Sequence, residues 1–525
     1  MRQTTRPRHF SACVFAASLI LTPAAFPLEP PPAAAPVVAP AASPASTVES
    51  TVVKVFATVR YPDLGRPWTK QPPQEVTGSG VVIEGKRILT NAHVVSYASQ
   101  VQVQANQAGD KISATVESIA PGIDLAVLKL DDASFFDAHP ALARANALPA
   151  IKDSVMVYGF PTGGTSLSIT KGIVSRIEFA SYIFPVSGLR IQIDAAINAG
   201  NSGGPAVAGD KMIGLAFSRL GGGAENIGYI IPCEEIELFL ADIADGHYDG
   251  KPAMFDELQT LENPALRTFL KLDKTAAGKT VEGIVVHQPY SEDPSYSLRE
   301  WDVISRIGDT PVDDQGMVKL GDNLRVWFAY LIQKIAANGQ VPLTIVRAGK
   351  EIAVKLPVSP DRPMVIPDLR GAYPPYFVYG PLVFSVASQQ YVGAVGANAN
   401  VVNMLSALGS PLVARRSDKP SFEGEELVIV SSPFFPHKLA KGYGPPGGRV
   451  VKTINGVAIQ NLNHLVRVLR ESKDEFIAIE FCGREAEALV FPRKETVDAS
   501  EDILNDNGIR SQGSPDAMKV WSAQP

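Results

Sequence analysis

The chain has 525 residues, 45% apolar and 19% charged, a length that exceeds one ordinary core and predicts roughly two to four domains. Its formal net charge of −6, with no Lys/Arg-rich block, argues against nucleic acid as the main partner. Abundant proline (42) and glycine (43) favour many short strands and turns over long helices.

At the N-terminus Arg2, Arg6 and Arg8 form a basic region without acidic residues. An apolar run follows from Phe10 to Phe26, with small residues at Ala24 and Ala25. This pattern predicts a signal peptide over 1–26 and export to a periplasm or cell envelope. Pro23 and the shortness of the run favour a cleaved signal, with a retained N-terminal anchor as the alternative. Residues 27–47 are mostly Pro, Ala, Val and Ser, a composition that cannot bury a core and reads as a linker. Beyond the leader only Cys233 and Cys482 remain, far apart. They argue against a disulfide framework and, with seven scattered histidines, against a zinc site.

From 48 to 246 short β-rich runs alternate with Gly/Pro/Asn turns, at 52–60, 80–83, 87–90, 100–104, 125–130, 154–158, 173–177, 189–193 and 212–216. Many short strands without helical periodicity predict a barrel or sandwich. Residues 234–243 place Ile236, Phe239, Leu240 and Ile243 on one helical face, a helix that closes the domain. A second unit spans 253–360, with a strand at 283–286, a helix at 326–336 and a hairpin around Ala348-Gly349-Lys350. A third spans 375–500, where a strand, the Asn455-Gly456 turn, a helix at 462–469 and a strand at 476–481 follow in the same order. Asp302-Val303-Ile304-Ser305-Arg306-Ile307-Gly308-Asp309 echoes Arg449-Val450-Val451-Lys452-Thr453-Ile454-Asn455-Gly456, so the two units are copies of one α+β module. Residues 501–525 form a polar tail, ordered only by docking.

Three segments carry chemistry: Thr90-Asn91-Ala92-His93-Val94-Val95, Ile123-Asp124-Leu125-Ala126-Val127-Leu128 and Asn198-Ala199-Gly200-Asn201-Ser202-Gly203-Gly204-Pro205. A serine hydroxyl is a weak nucleophile and needs a base, and the base needs a partner that holds its tautomer. Taken singly, His93 reads as a core histidine, Asp124 as a turn residue before a strand and Gly203-Gly204-Pro205 as a tight turn. Together they read as a triad, with Ser202 as nucleophile, His93 as base and Asp124 as orienter. The apolar neighbours of Asp124 put its carboxylate at a core edge, where it needs a partner. Glycines around Ser202 allow the Gly200 and Ser202 N–H groups to converge as an oxyanion hole. Ala276-Ala277-Gly278-Lys279-Thr280 resembles the end of a phosphate loop, but Asp273 replaces its first glycine. Gly221-Gly222-Gly223, about twenty residues after Ser202, offers a phosphate cradle on glycine content alone. Neither predicts a nucleotide, and no cofactor or metal is expected.

These segments, with Gly78-Ser79-Gly80-Val81-Val82-Ile83, resemble the HtrA/Deg serine proteases over about 48–500. Leu261-Glu262-Asn263-Pro264 and the Tyr61-Pro62-Asp63-Leu64 loop resemble the plant organelle-type members. The resemblance implies a chymotrypsin-like double β-barrel followed by PDZ modules, unfolded or damaged proteins and peptides as substrates, and a homo-oligomer built on trimers. A chaperone or a PDZ adaptor with little proteolysis is the alternative. The first module departs from the pattern. Aligned through Glu262-Asn263-Pro264, its carboxylate-binding loop falls on Met254-Phe255-Asp256-Glu257. Phe255 stands where a glycine is expected and two acidic residues follow, so capture of free C-termini by the usual mode is not expected.

Overall fold

In the computed structural model, which describes residues 47–183, 185–219, 227–272, 280–321 and 324–523, two sheets each close into a six-stranded barrel. The leader 1–26, linker residues 27–46, Gly221-Gly222-Gly223 and Ala276-Ala277-Gly278-Lys279 lie outside the described residues. The first barrel contains β1 (Val52–Val59), β2 (Gln74–Ile83), β3 (Arg87–Thr90), β4 (Ala98–Ala105), β5 (Ile112–Ala120) and β6 (Leu125–Leu130), closed in the order β1-β2-β3-β6-β5-β4. The second contains β7 (Ser154–Gly159), β8 (Ser168–Ser181), β9 (Ser187–Ile193), β10 (Pro205–Ala208), β11 (Lys211–Arg219) and β12 (Gly228–Pro232), closed as β10-β11-β12-β9-β8-β7.

Strand alternation explains why the barrels stay together. In β1, Val53, Val55, Ala57 and Val59 fill the first barrel with Val82, Ile88 and Leu128. The opposite faces of the same strands supply Val52, Val81, Ile83 and Leu125, which pack on Tyr158, Phe160, Val207 and Leu215 of the second barrel. A strand buried on both faces reads as a continuous apolar run, which is why 125–130 was legible. The unread strands have weaker patterns. In β5 the alternation breaks at Glu117-Ser118, where its pairing register shifts, β10 begins with proline directly after the glycines, and β12 has only five residues.

The first module is a sheet of Glu257–Thr260, Ile284–Gln288, Val303–Ile307, Gln340–Arg347 and Lys350–Pro357 in that spatial order, with the helix Tyr330–Ile335. The helix expected at 326–336 begins later. Val326 and Trp327 instead belong to the strand Leu324–Trp327, paired with Met317–Leu320, because β-branched and aromatic side chains suit a ladder. Inside, Asp302 is fully buried and accepts from Arg347 Nε at 2.7 Å and Nη2 at 2.6 Å.

The third unit repeats the pairing. Val303–Ile307 pairs with Thr310–Pro311 and Gln340–Arg347, just as Val451–Ile454 pairs with Val457–Ala458 and Phe476–Phe481. The segment read as a polar tail forms the end of the helix Arg493–Asp506 and the helix Pro515–Ser522, and it packs on this unit. Val378 N–H donates to Gln512 O (2.7 Å), Ser514 N–H donates to Tyr376 O (2.9 Å), and Trp521 packs 5.1 Å from Phe377. From the first barrel, Trp68 reaches Tyr376 and Phe435 of this unit, with ring centroids 5.9 and 5.8 Å away.

A fully buried carboxylate helps join the second barrel to the first module. Glu235, on the closing helix Cys233–Asp242, is completely buried. Its Oε1 accepts from Leu189 N–H (2.7 Å) and Gln333 Nε2 (2.9 Å), and its Oε2 from Lys251 Nζ (2.6 Å). Breaking a buried pair on one side costs about 3–5 kcal/mol, because the remaining charge is stranded. Lys251→Met is therefore expected to lower the unfolding free energy by that amount, read as a lower midpoint in a fluorescence-detected urea curve, and an unchanged midpoint would show that the pair is not structural.

Candidate active site

His93 lies on the one-turn helix Ala92–Val95 after β3. Ala92, Val94 and Val95 are buried and turn into the barrel, leaving His93 on the open side with its side chain 49% exposed. Asp124 ends the turn Pro121–Ile123 in the left-handed region (φ 57°, ψ 43°), which aspartate tolerates better than most residues. Asn91 Nδ2 fixes this backbone by donating to Asp124 O at 2.9 Å. The carboxylate then holds His93 twice, accepting from its N–H at Oδ1 (2.9 Å) and from Nδ1 at Oδ2 (2.7 Å). An ionised carboxylate only accepts, so this contact puts the proton on Nδ1 and leaves the Nε2 lone pair available.

Ser202 comes from the other barrel, on the loop before β10. Gly203 N–H donates to Ala216 O (2.8 Å), and Ser79 N–H donates to Ser202 O (2.8 Å). Gly78 lets the histidine helix and the serine loop approach. A Cβ there would lie 2.8 Å from Val94 Cγ2 and 3.2 Å from Ser202 O. Among the described residues, Ser202 Oγ makes no hydrogen bond, to His93 or to any other group. Such contacts often tighten only once substrate is bound.

The loop carbonyls are held away from the serine. Ala199 O accepts from Thr162 N–H (2.8 Å), and Gly200 O accepts from Ser79 Oγ (2.7 Å). Among the described residues, the N–H groups of Gly200 and Ser202 have no partner. Sequence reasoning missed the roles of Ser79, Asn91 and Thr162. The Gly-Ser-Gly before an apolar run was a usable signal for the first, whereas Thr162 acts only through its main chain. Among the described residues, no three His, Cys, Asp or Glu side chains gather as a metal-binding group.

A sequence model of the trypsin-like peptidase domain matches residues 78–215, and one of the PDZ domain matches 365–516. Protease Do-like 2, chloroplastic, of Arabidopsis thaliana is 36% identical over 477 residues, covering 90% of this chain and 76% of that protein. The chain belongs to the HtrA/Deg family of serine proteases. It is a serine endopeptidase. Protease Do-like 4, mitochondrial, of the same plant is 34% identical over 434 residues, 82% of this HtrA/Deg protease and 78% of that protein. The solved HtrA-type protease AlgW with decapeptide is 25% identical, covering 61% of this chain and 98% of that one, with a TM-score of 0.45.

The relatives correct the expected export to a periplasm or cell envelope, because they are named for the chloroplast and the mitochondrion and point to an organelle. An Arg-rich leader without acidic residues suits an organellar transit peptide as well as a secretory signal, and composition alone did not separate the two.

The first module's Met254–Glu257 loop also differs from the expectation. Phe255 packs against Tyr290 with the rings tilted by 59° and their centroids 5.3 Å apart, and Arg362 lies 5.7 Å from its ring. Asp256 does not face an incoming carboxylate but turns inward, accepting from Tyr290 N–H (2.9 Å) and Tyr296 Oη (3.0 Å). Of the two acidic residues in this loop, Asp256 is engaged internally while Glu257 stays exposed.

Burial lowers the His93 pKa, but the hydrogen bond to Asp124 and its negative charge together outweigh this and hold the imidazole above its ordinary value of 6.5. A general base must be neutral to accept a proton. The acid limb of kcat/KM is therefore expected to have its half-point above pH 6.5. Asp124→Asn removes both raising effects, so that half-point is expected to fall, alongside a loss of about 10⁴-fold in kcat. A half-point that stays in place in the variant would separate His93 from the limb.

Proposed function

We propose that Ser202 is the nucleophile, His93 the general base, Asp124 its orienter, and the Gly200 and Ser202 N–H groups the oxyanion hole of this endopeptidase. The observation that carries the reading is the double Asp124–His93 contact on one barrel, opposite a serine loop on the other whose two N–H groups are unpaired among the described residues. Ser202 Oγ attacks the scissile carbonyl carbon while His93 Nε2 takes its proton. The carbonyl oxygen becomes an oxyanion between the two N–H groups, and the leaving amine receives the proton from Nε2. Water, deprotonated by the same nitrogen, then attacks the acyl carbon, and Nε2 returns that proton to Ser202 Oγ as the ester bond breaks. Every bond change is met by these residues and water, without ATP.

Family membership supports unfolded or damaged proteins as substrates, quality control as the role, and a trimer or a multiple of it as the assembly. Casein should be cleaved without nucleotide. Ser202→Ala should reduce cleavage by roughly 10³-fold or more with an unchanged thermal midpoint, since a partly buried hydroxyl that makes no hydrogen bond among the described residues adds little stability. Casein degradation at the wild-type rate by Ser202→Ala would reject the nucleophile, and by extension the triad.

Location is proposed to be an organelle, supported by the two plant relatives. Residues 1–46 fused to a fluorescent protein are expected to direct it into a chloroplast or mitochondrion in plant cells. A uniformly cytosolic signal would reject this.

A further inference from the structure

Lys54 is the one charged residue in the Val-Val-Lys-Val-Phe-Ala-Thr-Val strand β1, and it is only 8% exposed. It stands in register with Ser79 on β2, the residue whose Oγ reaches across to the second barrel. Among the described residues, Lys54 has no carboxylate partner. Its Nζ donates to Gly164 O at 2.6 Å and lies 5.1 Å from the centroid of Phe56. Lysine is rarely this buried without a charged partner, and the neighbouring positions of β1 are mostly apolar. The position therefore calls for a reason other than packing.

Gly164 ends the turn that begins at Pro161, with Gly164 N–H donating to Pro161 O at 2.9 Å. Inside the turn, Thr162 N–H donates to Ala199 O. A trans peptide is planar, with its C=O and N–H on opposite sides. Holding the Ala199 carbonyl toward Thr162 therefore points the Gly200 N–H the other way, toward the catalytic cleft. Gly200 sits at φ 97°, where glycine can rotate with little resistance, so the peptide needs an external hold. The fit is close, since a Cβ on Gly200 would lie 2.5 Å from Thr162 N. Ser79 secures the start of the same segment, its Oγ accepting from Phe160 N–H (2.8 Å) while donating to Gly200 O. Lys54 secures the end.

We propose that Lys54 is a positioning residue for peptide hydrolysis: it anchors the Pro161–Gly164 turn so that Thr162 holds the Ala199 carbonyl out of the oxyanion hole and keeps the Gly200 N–H aimed into it. The inference rests on the Ser202 reading above. Lys54 touches neither substrate nor reacting atoms. Its effect falls on the transition state, because Gly200 N–H meets an oxyanion only there.

The test uses the full chain with a fluorogenic peptide and the matching peptide aldehyde, whose adduct with a nucleophilic serine places an oxyanion in the hole. Lys54→Met keeps the buried stem and removes the donor. It is expected to lower kcat roughly 10- to 100-fold, leave KM within about twofold, and weaken the aldehyde Ki by the same factor as kcat. Lys54→Arg, which restores a donor, should recover part of both. Thr162→Pro deletes the N–H on Ala199 O without touching Lys54 and should reproduce the kcat loss; it decides the matter if Lys54→Met does not fold. Wild-type kcat and Ki in Lys54→Met, or in Thr162→Pro where that variant decides, would overturn the inference, as would equal losses in binding of the aldehyde and of the ground-state substrate. Fluorophosphonate labelling of the wild type, mapped by mass spectrometry, separates the two readings. Absence of label on Ser202 would remove the nucleophile itself, whereas label on Ser202 with unaltered Lys54→Met kinetics removes only the role of Lys54.

Discussion

The serine loop is wedged between two barrels with no room for side chains at its turns. A Cβ on Gly203 would overlap the Ser79 carbonyl oxygen, and one on Gly204 would overlap that of Tyr158. Gly203 also adopts φ 87°, which favours glycine. These contacts come from β2 in the first barrel and β7 in the second, so the loop is located by both. Its hydrogen bonds follow the same division, with Ser79 on one side and Ala216 on the other. Because neither barrel alone defines the loop, the apolar interface that joins them, including Val52, Val81, Phe160 and Leu215, also sets the site geometry. Packing of that density transmits small displacements, which links core substitutions to catalysis.

The proposed base and orienter both belong to the first barrel. His93 and Asp124 are separated by 31 positions in sequence, yet β3 and β6 are neighbours, pairing Thr90 with Ala126. The left-handed conformation of Asp124 is sparsely populated for non-glycine residues and is held by the Asn91 amide and by Asp124 N–H donating to Pro121 O. The carboxylate is thereby committed to His93 before substrate arrives, an arrangement that lowers the reorganisation needed during reaction.

Outside the barrels, polar contacts stand where a flexible linker would permit independent movement. Glu235 binds the second barrel, Lys251 and Gln333 at once. Tyr373 Oη donates to Arg60 O (3.0 Å) and Tyr97 Oη to Ala372 O (3.2 Å), beside the Trp68 contact with the third unit. In that unit, residues 512–514 pair with the edge of Tyr376–Tyr379, and Arg470 Nη1 donates to Val520 O at 2.5 Å. The free edge of Tyr376–Tyr379 is thus covered by the chain's own C-terminal segment.

Much of this was legible locally. Strands buried on both faces read as apolar runs, His93 is the polar member of an otherwise buried turn, and the glycines around Ser202 declare a backbone that no other residue could follow. The duplicated module was visible because Asp302–Asp309 and Arg449–Gly456 share a strand-and-turn pattern. Tertiary structure alone decided the rest. Thr162 acts through a main-chain N–H, which carries no side-chain signature. Lys54 in β1 and Asp256 in the first module look exposed by residue type, but a partner far along the chain draws each one inward: Gly164 for Lys54, Tyr290 and Tyr296 for Asp256. The strand at 324–327 overrode a helical spacing because Met317–Leu320 offered a ladder. Local pattern specifies which face of an element is apolar; which distant groups meet on the other face depends on how the barrels and modules close, and that is not encoded at any one position.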